Sequence, residues 1–475
     1  MEQKNPSARF RDWLSPLVYL SNNVISLIGV VIVTSSAILW ILMLPTMVSG
    51  EVDNPYIGIL GFFALPAVFI AGLLLIPLGI WVSTRRGRPV SFPPLDWTNV
   101  KLRRLVTFIA LTTFVNVLIG AHLSYSAVGY MESTAFCGQT CHTVMQPEYT
   151  AYQNSPHSRV ECVKCHIGPG ASWFVKSKLS GAWQVIAVTL DLYPKPIPTP
   201  VKNLRPARET CEVCHWPQKF GADRVRVVPK YADDETNTLT KSVLLVRIGG
   251  AGSHRGIHSA HLGVGVNIRY AASDPQRQTI PWVEYNGADG KQLVFQAADA
   301  KGDLPGNNEI RTMDCMDCHN RPSHAYELPD RGLDKIMATG EVSPTLPFVK
   351  KTALALLKKD YPSQEQAAID IVAGMETYYK TSQPAIWQTR QADVARASRA
   401  VGALYQRNVF PAMKVNWGIY PNNLGHNDFP GCFRCHDERT AKAGGKTLTQ
   451  DCNTCHQLLA MDEADPKILA DLGYN

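Results

Sequence analysis

Six times the chain writes a cysteine, a short spacer and then Cys-His: Cys137 to His142, Cys162 to His166, Cys211 to His215, Cys315 to His319, Cys432 to His436 and Cys452 to His456. These runs use all 12 cysteines, so none remains for a disulfide. Five are C-x-x-C-H, and the first, Cys137-Gly138-Gln139-Thr140-Cys141-His142, has one more spacer residue. Covalent c-type haem needs this order, because two thiols add to the vinyl groups and the adjacent histidine is delivered to the iron. Zinc sites also use C-x-x-C pairs but give no reason for a histidine after every second cysteine. With 13 histidines in 475 residues, six such coincidences have a chance of about one in a billion. The chain is therefore expected to fold around six haems. Their thioether bonds would come from Cys137, Cys141, Cys162, Cys165, Cys211, Cys214, Cys315, Cys318, Cys432, Cys435, Cys452 and Cys455.

Hydropathy assigns the N-terminal part to lipid. Val24 to Val48, Tyr56 to Val82 and Leu105 to Ala121 are uncharged, mostly apolar and about long enough to cross a hydrocarbon core as helices. Lys4, Arg9 and Arg11 precede the first stretch, and Arg85, Arg86, Arg88, Lys101, Arg103 and Arg104 crowd the segment between the second and third. The segment between the first two carries only Glu51 and Asp53. The positive-inside rule then makes the N-terminus cytoplasmic. Three crossings place everything after about Glu132 in the periplasm, where bacteria attach c-type haem, and make the chain a multi-pass protein of the inner membrane. The first apolar run is span-length and lacks a clear small-residue cleavage site, so it is expected to remain as an anchor. The formal charge of +7 is no argument for nucleic acid, since twelve haem propionates would bring it to about −5.

Composition divides the chain into four parts: residues 1–131, a cytoplasmic N-terminus and three-helix membrane anchor; 132–220, a trihaem domain; 221–310, a β-rich insert without haem motifs; and 311–475, a C-terminal trihaem domain. Three motifs within 132–220 leave little room for a protein core, so haem faces are expected to supply much of the packing there. Val225 to Val228, Ser242 to Ile248, Val264 to Tyr270, Ile280 to Tyr285 and Gln292 to Phe295 read as short strands between Gly, Asp and Asn turns. Phe348 to Lys359, Gln364 to Lys380 and Gln388 to Arg407 have helical apolar spacing. The expected fold class is a membrane-anchored multihaem cytochrome c: three transmembrane helices and a mainly helical or irregular, haem-packed periplasmic region.

Low-spin haem irons need a second strong ligand, commonly neutral imidazole. Beyond the proximal candidates His142, His166, His215, His319, His436 and His456, the chain has His122, His157, His254, His258, His261, His324 and His426. His122 lies near the end of the third apolar stretch. Distal ligands are therefore expected from His157, His324, His426 and two of His254, His258 and His261.

Around the first two motifs the chain reads Cys141-His142-Thr143-Val144-Met145-Gln146-Pro147-Glu148-Tyr149, then Tyr152, Ser155, His157 and Cys162-Val163-Lys164-Cys165-His166. The early methionine, the Pro-Glu-x-x-x-Tyr-x-x-Ser-x-His pattern and the close second motif resemble the NapC/NirT family of quinol-oxidising membrane cytochromes, including the NrfH type, over about Glu132 to Trp216. The three-span anchor and extra C-terminal motifs resemble the ImcH-type inner-membrane cytochromes of metal-respiring bacteria. Ordinary NapC/NirT members have one membrane helix and fewer haems, so the chain departs from the family pattern in both respects. The resemblance implies Met145 as a ligand of the first haem iron. It also implies a quinol pocket with a lysine shortly after the second motif, which points to Lys178, or else Lys176, within the aromatic and basic segment Trp173 to Leu179. The family's acidic partner is not evident here, Asp191 being the first carboxylate to follow.

These readings converge on a respiratory quinol dehydrogenase with six haem c. It would take electrons from menaquinol or a related quinol in the bilayer and pass them to a periplasmic cytochrome c or terminal reductase. Two alternatives remain at this stage: a terminal reductase of a small oxyanion, which needs an iron without a distal ligand, and an electron-relay subunit of a larger complex.

Overall fold

The computed structural model describes residues 23–48, 65–85, 129–140, 142–167, 183–201, 204–216, 221–250, 256–297 and 310–474, with isolated positions between 98 and 126 and at 180–181. The chain divides into two compact units, residues 1–140 and 141–475, with the division inside the first cysteine motif.

In the first unit, an uncharged sequence of Val, Ile and Leu gives helix α1, Val24–Val48, whose start is capped by Asn23 Oδ1 accepting from the Ser26 amide at 2.9 Å. It packs against helix α2, Leu65–Arg85, through small residues. A β-carbon on Gly29 would lie 2.7 Å from the Gly72 carbonyl oxygen, and one on Gly79 would lie 2.6 Å from Ser26. The buried Ser26 hydroxyl donates across the interface to the Ile76 carbonyl at 2.9 Å. Large apolar side chains such as Ile28, Val31, Leu39, Ile70, Leu74 and Trp81 point outward and are exposed. Small and hydroxyl residues inside with branched apolar residues outside is the arrangement of helices packed in lipid, and both are long and apolar enough to cross a membrane. The third predicted span falls mostly outside the described residues; Thr107, Leu111, Phe114, Val115, Leu118 and Ile119 within it are helical.

The second unit begins with helices α3, His142–Gln153, α4, Cys162–His166, and α5, Ala207–Cys211. Among the described residues from 142 to 216, the buried hydrophobics are Val144, Ala151, Tyr152, Val163, Ala187 and Ala207. Much of its apolar packing comes from later in the chain, where Val144 joins a cluster with Phe410, Met413, Val415 and Tyr420, and Val188, Tyr193 and Ile197 pack against it. Strands follow on each predicted segment. β1 (Arg224–Tyr231) and β2 (Leu239–Val246) form a hairpin with Tyr231 opposite Leu239, its turn closed by Asp234, which accepts from Thr238. After the short helix α6, Ile257–Leu262, come β3 (Asn267–Ala271), β4 (Trp282–Asn286), β5 (Gln292–Gln296) and β6 (Ile310–Thr312). They form a second antiparallel sheet in the order β5-β4-β3-β6. Arg269 and Glu284, directly opposed on β3 and β4, lock the register with two hydrogen bonds of 2.8 Å.

The largest apolar core carries no cysteine motif. Helices α7 (Cys315–Cys318), α8 (Pro329–Ala338), α9 (Val349–Leu357), α10 (Gln364–Ser382) and α11 (Pro384–Asn408, kinked at Arg390) follow in order. Of these, α8 to α11 bury Leu333, Ile336, Leu357, Ile371, Tyr379 and Leu404 against one another. The predicted helical segments all fall here. After α12, Cys452–Cys455, strand β7, His456–Glu463, pairs with β2 to complete the sheet β1-β2-β7. The strand-rich segment is thus finished by the chain's C-terminal end, followed by α13, Lys467–Asp471.

One ionic contact sits inside the helical core. Lys350 Nζ donates to Asp334 Oδ1 at 2.7 Å and to the Tyr231 carbonyl, with both charged side chains 6% exposed. Removing one member leaves a buried charge without its counterion. Lys350→Ala is expected to destabilise the second unit by about 3–5 kcal/mol, while the double change to Lys350→Met with Asp334→Leu recovers most of it. Urea midpoints followed by far-ultraviolet circular dichroism check both; equal losses in the two variants would contradict the pairing argument.

Candidate functional site

A helical turn brings residues three apart to one side, which is what two thiols reaching one macrocycle require. Helices α4, α7 and α12 are such turns around Cys162, Cys315 and Cys452, and a 3-10 turn at Gly431–Arg434 serves Cys432. Cys137 and the spacer of the first motif lie on a π-helical turn, Phe136–Thr140, which takes one more residue per hydrogen-bonded ring than an α-turn. Local caps fix two of these turns. Asp314 accepts from the Met316 amide at 2.9 Å and the Asp317 carboxylate from the Asp314 amide at 2.7 Å, while Asp451 accepts from the Asn453 amide.

Five of the proximal candidates face a second histidine. Ring centres are 5.9 Å apart for His215 and His157, 6.2 Å for His166 and His324, 6.3 Å for His319 and His258, 5.9 Å for His436 and His261, and 6.1 Å for His456 and His426. An iron held by two imidazole nitrogens at about 2 Å, each about 1.1 Å from its ring centre, demands about 6.2 Å. The spacing fits an intervening iron. The ring nitrogens agree with it: Nδ1 of His157, His261, His324 and His436 lies 3.1, 2.7, 2.9 and 3.0 Å from the carbonyl oxygens of Pro322, Ile257, Glu148 and Thr449. A carbonyl can only accept, so Nδ1 carries the proton and Nε2 keeps its lone pair for a metal. Burial lowers the basicity of His166, His258, His261, His319, His324 and His456, favouring the neutral, ligating form.

Two of the thiols point the same way, while Cys315, beside Cys211, is lowered to about 7. Burial pushes Cys318 up to about 12 and Cys435 up to about 11, surroundings that oppose thiolate and suit a neutral thioether. Among the described residues no three His, Cys, Asp or Glu side chains converge as a metal site, so a zinc centre lacks a donor set here.

Motifs adjacent in sequence are also adjacent in space. Cys165 lies near enough to Cys214 for a charge on one thiol to perturb the other. Cys211 and Cys315 are likewise close enough to perturb each other, Cys318 is within range of Cys432 and Cys435, and Cys455 of Cys432. From the second motif to the sixth, the spatial order is the chain order.

The structure thus pairs each predicted distal histidine that it describes, His157, His258, His261, His324 and His426, with the histidine of a cysteine motif. His254, Lys176 and Lys178 lie outside the described residues, as does Cys141. His142 and Met145 fall one turn apart on α3, with Met145 half-buried, and the exposed His122 is helical. Glu148 was legible as part of a pattern but not in its role. Its backbone orients His324, and its side chain is held among Arg321, His324 and Tyr326, where burial raises its pKa. The backbone acceptors have no sequence signal at all, because any residue type supplies a carbonyl.

His324 reaches the second motif from beyond the fourth, which makes it the sharpest test of the pairing. His324→Ala is expected to leave all covalent haems attached by intact mass and to convert one haem per molecule to high spin by electron paramagnetic resonance. His254→Ala is expected to change neither. An unaltered spectrum in His324→Ala would remove that pairing.

Two comparisons with known proteins bear on this site. Residues 100–195 match the model of the NapC/NirT cytochrome c family, N-terminal region, a span that begins ahead of the first motif and ends before the third. The cytochrome c-type protein ImcH of Geobacter sulfurreducens is 42% identical over 450 residues, covering 92% of this chain and 88% of the relative. No solved structure matches. The paired imidazoles, the turn-borne thiols and an identity of this extent agree: the chain belongs to the NapC/NirT cytochrome c family, among its ImcH-like cytochrome c-type proteins, which carry covalently bound haem c and transfer electrons.

Proposed function

We propose that the protein is an inner-membrane quinol dehydrogenase that passes electrons from menaquinol or a related quinol, through six c-type haems, to a periplasmic cytochrome c or terminal reductase. The observation that carries this reading is the set of five histidine pairs spaced for iron, arranged in motif order. When bound, the haems supply one-electron carriers. The chain's own residues hold the ligands neutral, exclude water and keep neighbouring sites close.

The quinol side is argued from reach. Cys137 is five positions beyond Glu132, the first charged residue after the third predicted span, a tether of at most roughly 18 Å from that point, so a bilayer-bound quinol would meet the first site before any other. Three spans with a cytoplasmic N-terminus, and Lys178 or Lys176 at the quinol, complete this reading. His142 and Met145 stand three residues apart on α3, and either would supply an axial ligand to the first haem iron.

The sixth site suits the exit. Cys452 is exposed, the exposed Asp451 precedes it, and the exposed carboxylates Asp462, Glu463, Asp465 and Asp471 follow it with Lys467 as the sole exposed cation in that segment. A cationic acceptor would be steered there, through a brief and salt-sensitive encounter. The pairing also speaks against a terminal reductase at five of the six sites, since each of those irons would have both axial positions filled.

Quinol-driven haem reduction by the purified chain in liposomes tests the proposal, and failure of reduction by quinol with intact dithionite reduction would favour a relay subunit. Lys178→Ala is expected to lower quinol affinity about tenfold to a hundredfold, the loss of one hydrogen bond of about 1–3 kcal/mol. Dithionite reduction and haem count should not change. A wild-type rate in the Lys176→Ala, Lys178→Ala double variant would remove the lysine from the site. For topology, a reporter after Arg88 is expected on the cytoplasmic side and one after Asn475 on the periplasmic side.

A further inference from the structure

The distal ring of the sixth site is held differently from its counterparts. Nδ1 of His157, His261 and His324 is fixed by a backbone carbonyl. His426 is exposed, and among the described residues its ring takes no hydrogen bond. Its flat face lies instead against Phe433, with ring centres 4.3 Å apart and planes 15° from parallel. Phe433 belongs to the spacer of the fifth motif, Cys432-Phe433-Arg434-Cys435, and the ligand argument gives it no part.

The backbone is built to bring these two rings together. The Cys432 amide donates to the Gly425 carbonyl at 2.9 Å and the Phe433 amide to the Pro430 carbonyl at 2.8 Å, which closes residues 425–432 into a loop. At Gly431, where φ is +49°, a β-carbon would collide with the Gly425 oxygen, so the closure requires glycine. The buried Arg434 holds the Gly431 carbonyl through Nε at 2.9 Å. His426 follows Gly425 and Phe433 follows Cys432, so closing the loop lays one ring on the other.

The paired imidazoles show the consequence. His426 and His456 are 19° from parallel, whereas the pairs at His215, His166, His319 and His436 are crossed by 73°, 53°, 51° and 60°. A ligating imidazole donates π density perpendicular to its own plane. Parallel rings therefore raise a single iron dπ orbital, and crossed rings raise both. The hole of low-spin ferric iron is best accommodated in one strongly raised orbital, so parallel rings favour ferric over ferrous iron.

We propose that Phe433 is a positioning residue of the sixth site: by stacking on His426 it holds the distal imidazole nearly parallel to His456, which gives that iron a wide dπ splitting and a lower reduction potential than crossed rings would. This rests on the bis-histidine reading of the sixth site. Hydrogen bonds orient His157, His261 and His324 from the backbone, whereas at this exposed site an aromatic side chain does so from outside the ligand set. At the proposed exit, a lowered potential favours release of the electron to the acceptor, with no bond made or broken at the iron.

Electron paramagnetic resonance of the full-length, fully oxidised holoprotein tests this. Nearly parallel rings give a resolved rhombic low-spin signal, and strongly crossed rings give one dominant low-field feature. The wild type is expected to show a rhombic signal that His426→Ala removes while one haem per molecule turns high spin, which assigns the signal to the sixth site. Phe433→Leu, which keeps apolar cover without a ring, is expected to move that intensity into the low-field features, with the covalent haem count and the high-spin content unchanged. Phe433→Val, a second variant without a ring, carries the same expectation, and Phe433→Tyr, which keeps the ring, is expected to retain the rhombic signal. The positioning role is overturned if that signal persists in Phe433→Leu or Phe433→Val. It is also overturned if the signal persists in His426→Ala after a haem has turned high spin. Failure of the underlying reading looks different: His426→Ala with no new high-spin haem would deny ligation by His426.

Discussion

An iron between two imidazoles fixes about 6 Å between ring centres, and the second unit is organised to provide that gap five times. The distal member of each pair is rarely a near neighbour of its motif. His324 reaches back to His166, α6 reaches forward to His319 and His436, and His426 precedes the fifth motif yet faces His456 of the sixth. Each filled gap therefore joins segments that the chain keeps apart, as a cross-link would. Residues 142–216, with few buried hydrophobics of their own, lean on these junctions, whereas α8 to α11 close a conventional apolar core without one.

Much of this was legible in the sequence because its signals are local. A C-x-x-C-H run specifies its own turn, uncharged apolar stretches specify helices α1 and α2, and period-two and helical apolar patterns mark the strands and α9 to α11. Candidate distal histidines could be enumerated by elimination. Their pairing could not, because a ring's partner is set by tertiary placement, and His258 and His261 meet theirs from their shared helix α6. Pairing of β7 with β2 was also invisible, being a contact between strands more than two hundred residues apart. Its exposed, mixed-polarity sequence has no clean alternation, burying only Ala460.

The polar groups missed by sequence reading share a physical reason. Glu148, Arg321, Asp317 and Arg434 are ordinary charged residues in a linear chain and become informative only when buried. A buried charge persists when its hydrogen bonds are filled, and here the partners are backbone carbonyls and residues from other segments. Arg434 gives three donors to three carbonyls. Arg321 lies over the Tyr420 ring at 4.2 Å and beside Glu148. These side chains stiffen the surroundings of the sites and set the local field that would tune a redox potential.

The order of sites carries the last step of the argument. A chain that only needed to store haems could scatter its motifs, but here each motif from the second onward lies beside the next in sequence. Sequential synthesis makes such an arrangement easy to assemble, since a motif emerges next to the one already placed. It also makes the route one-dimensional. With the proposed entrance at the membrane end and the sixth motif at the other, the sites between them lie on a single line and cannot be bypassed along the motif order.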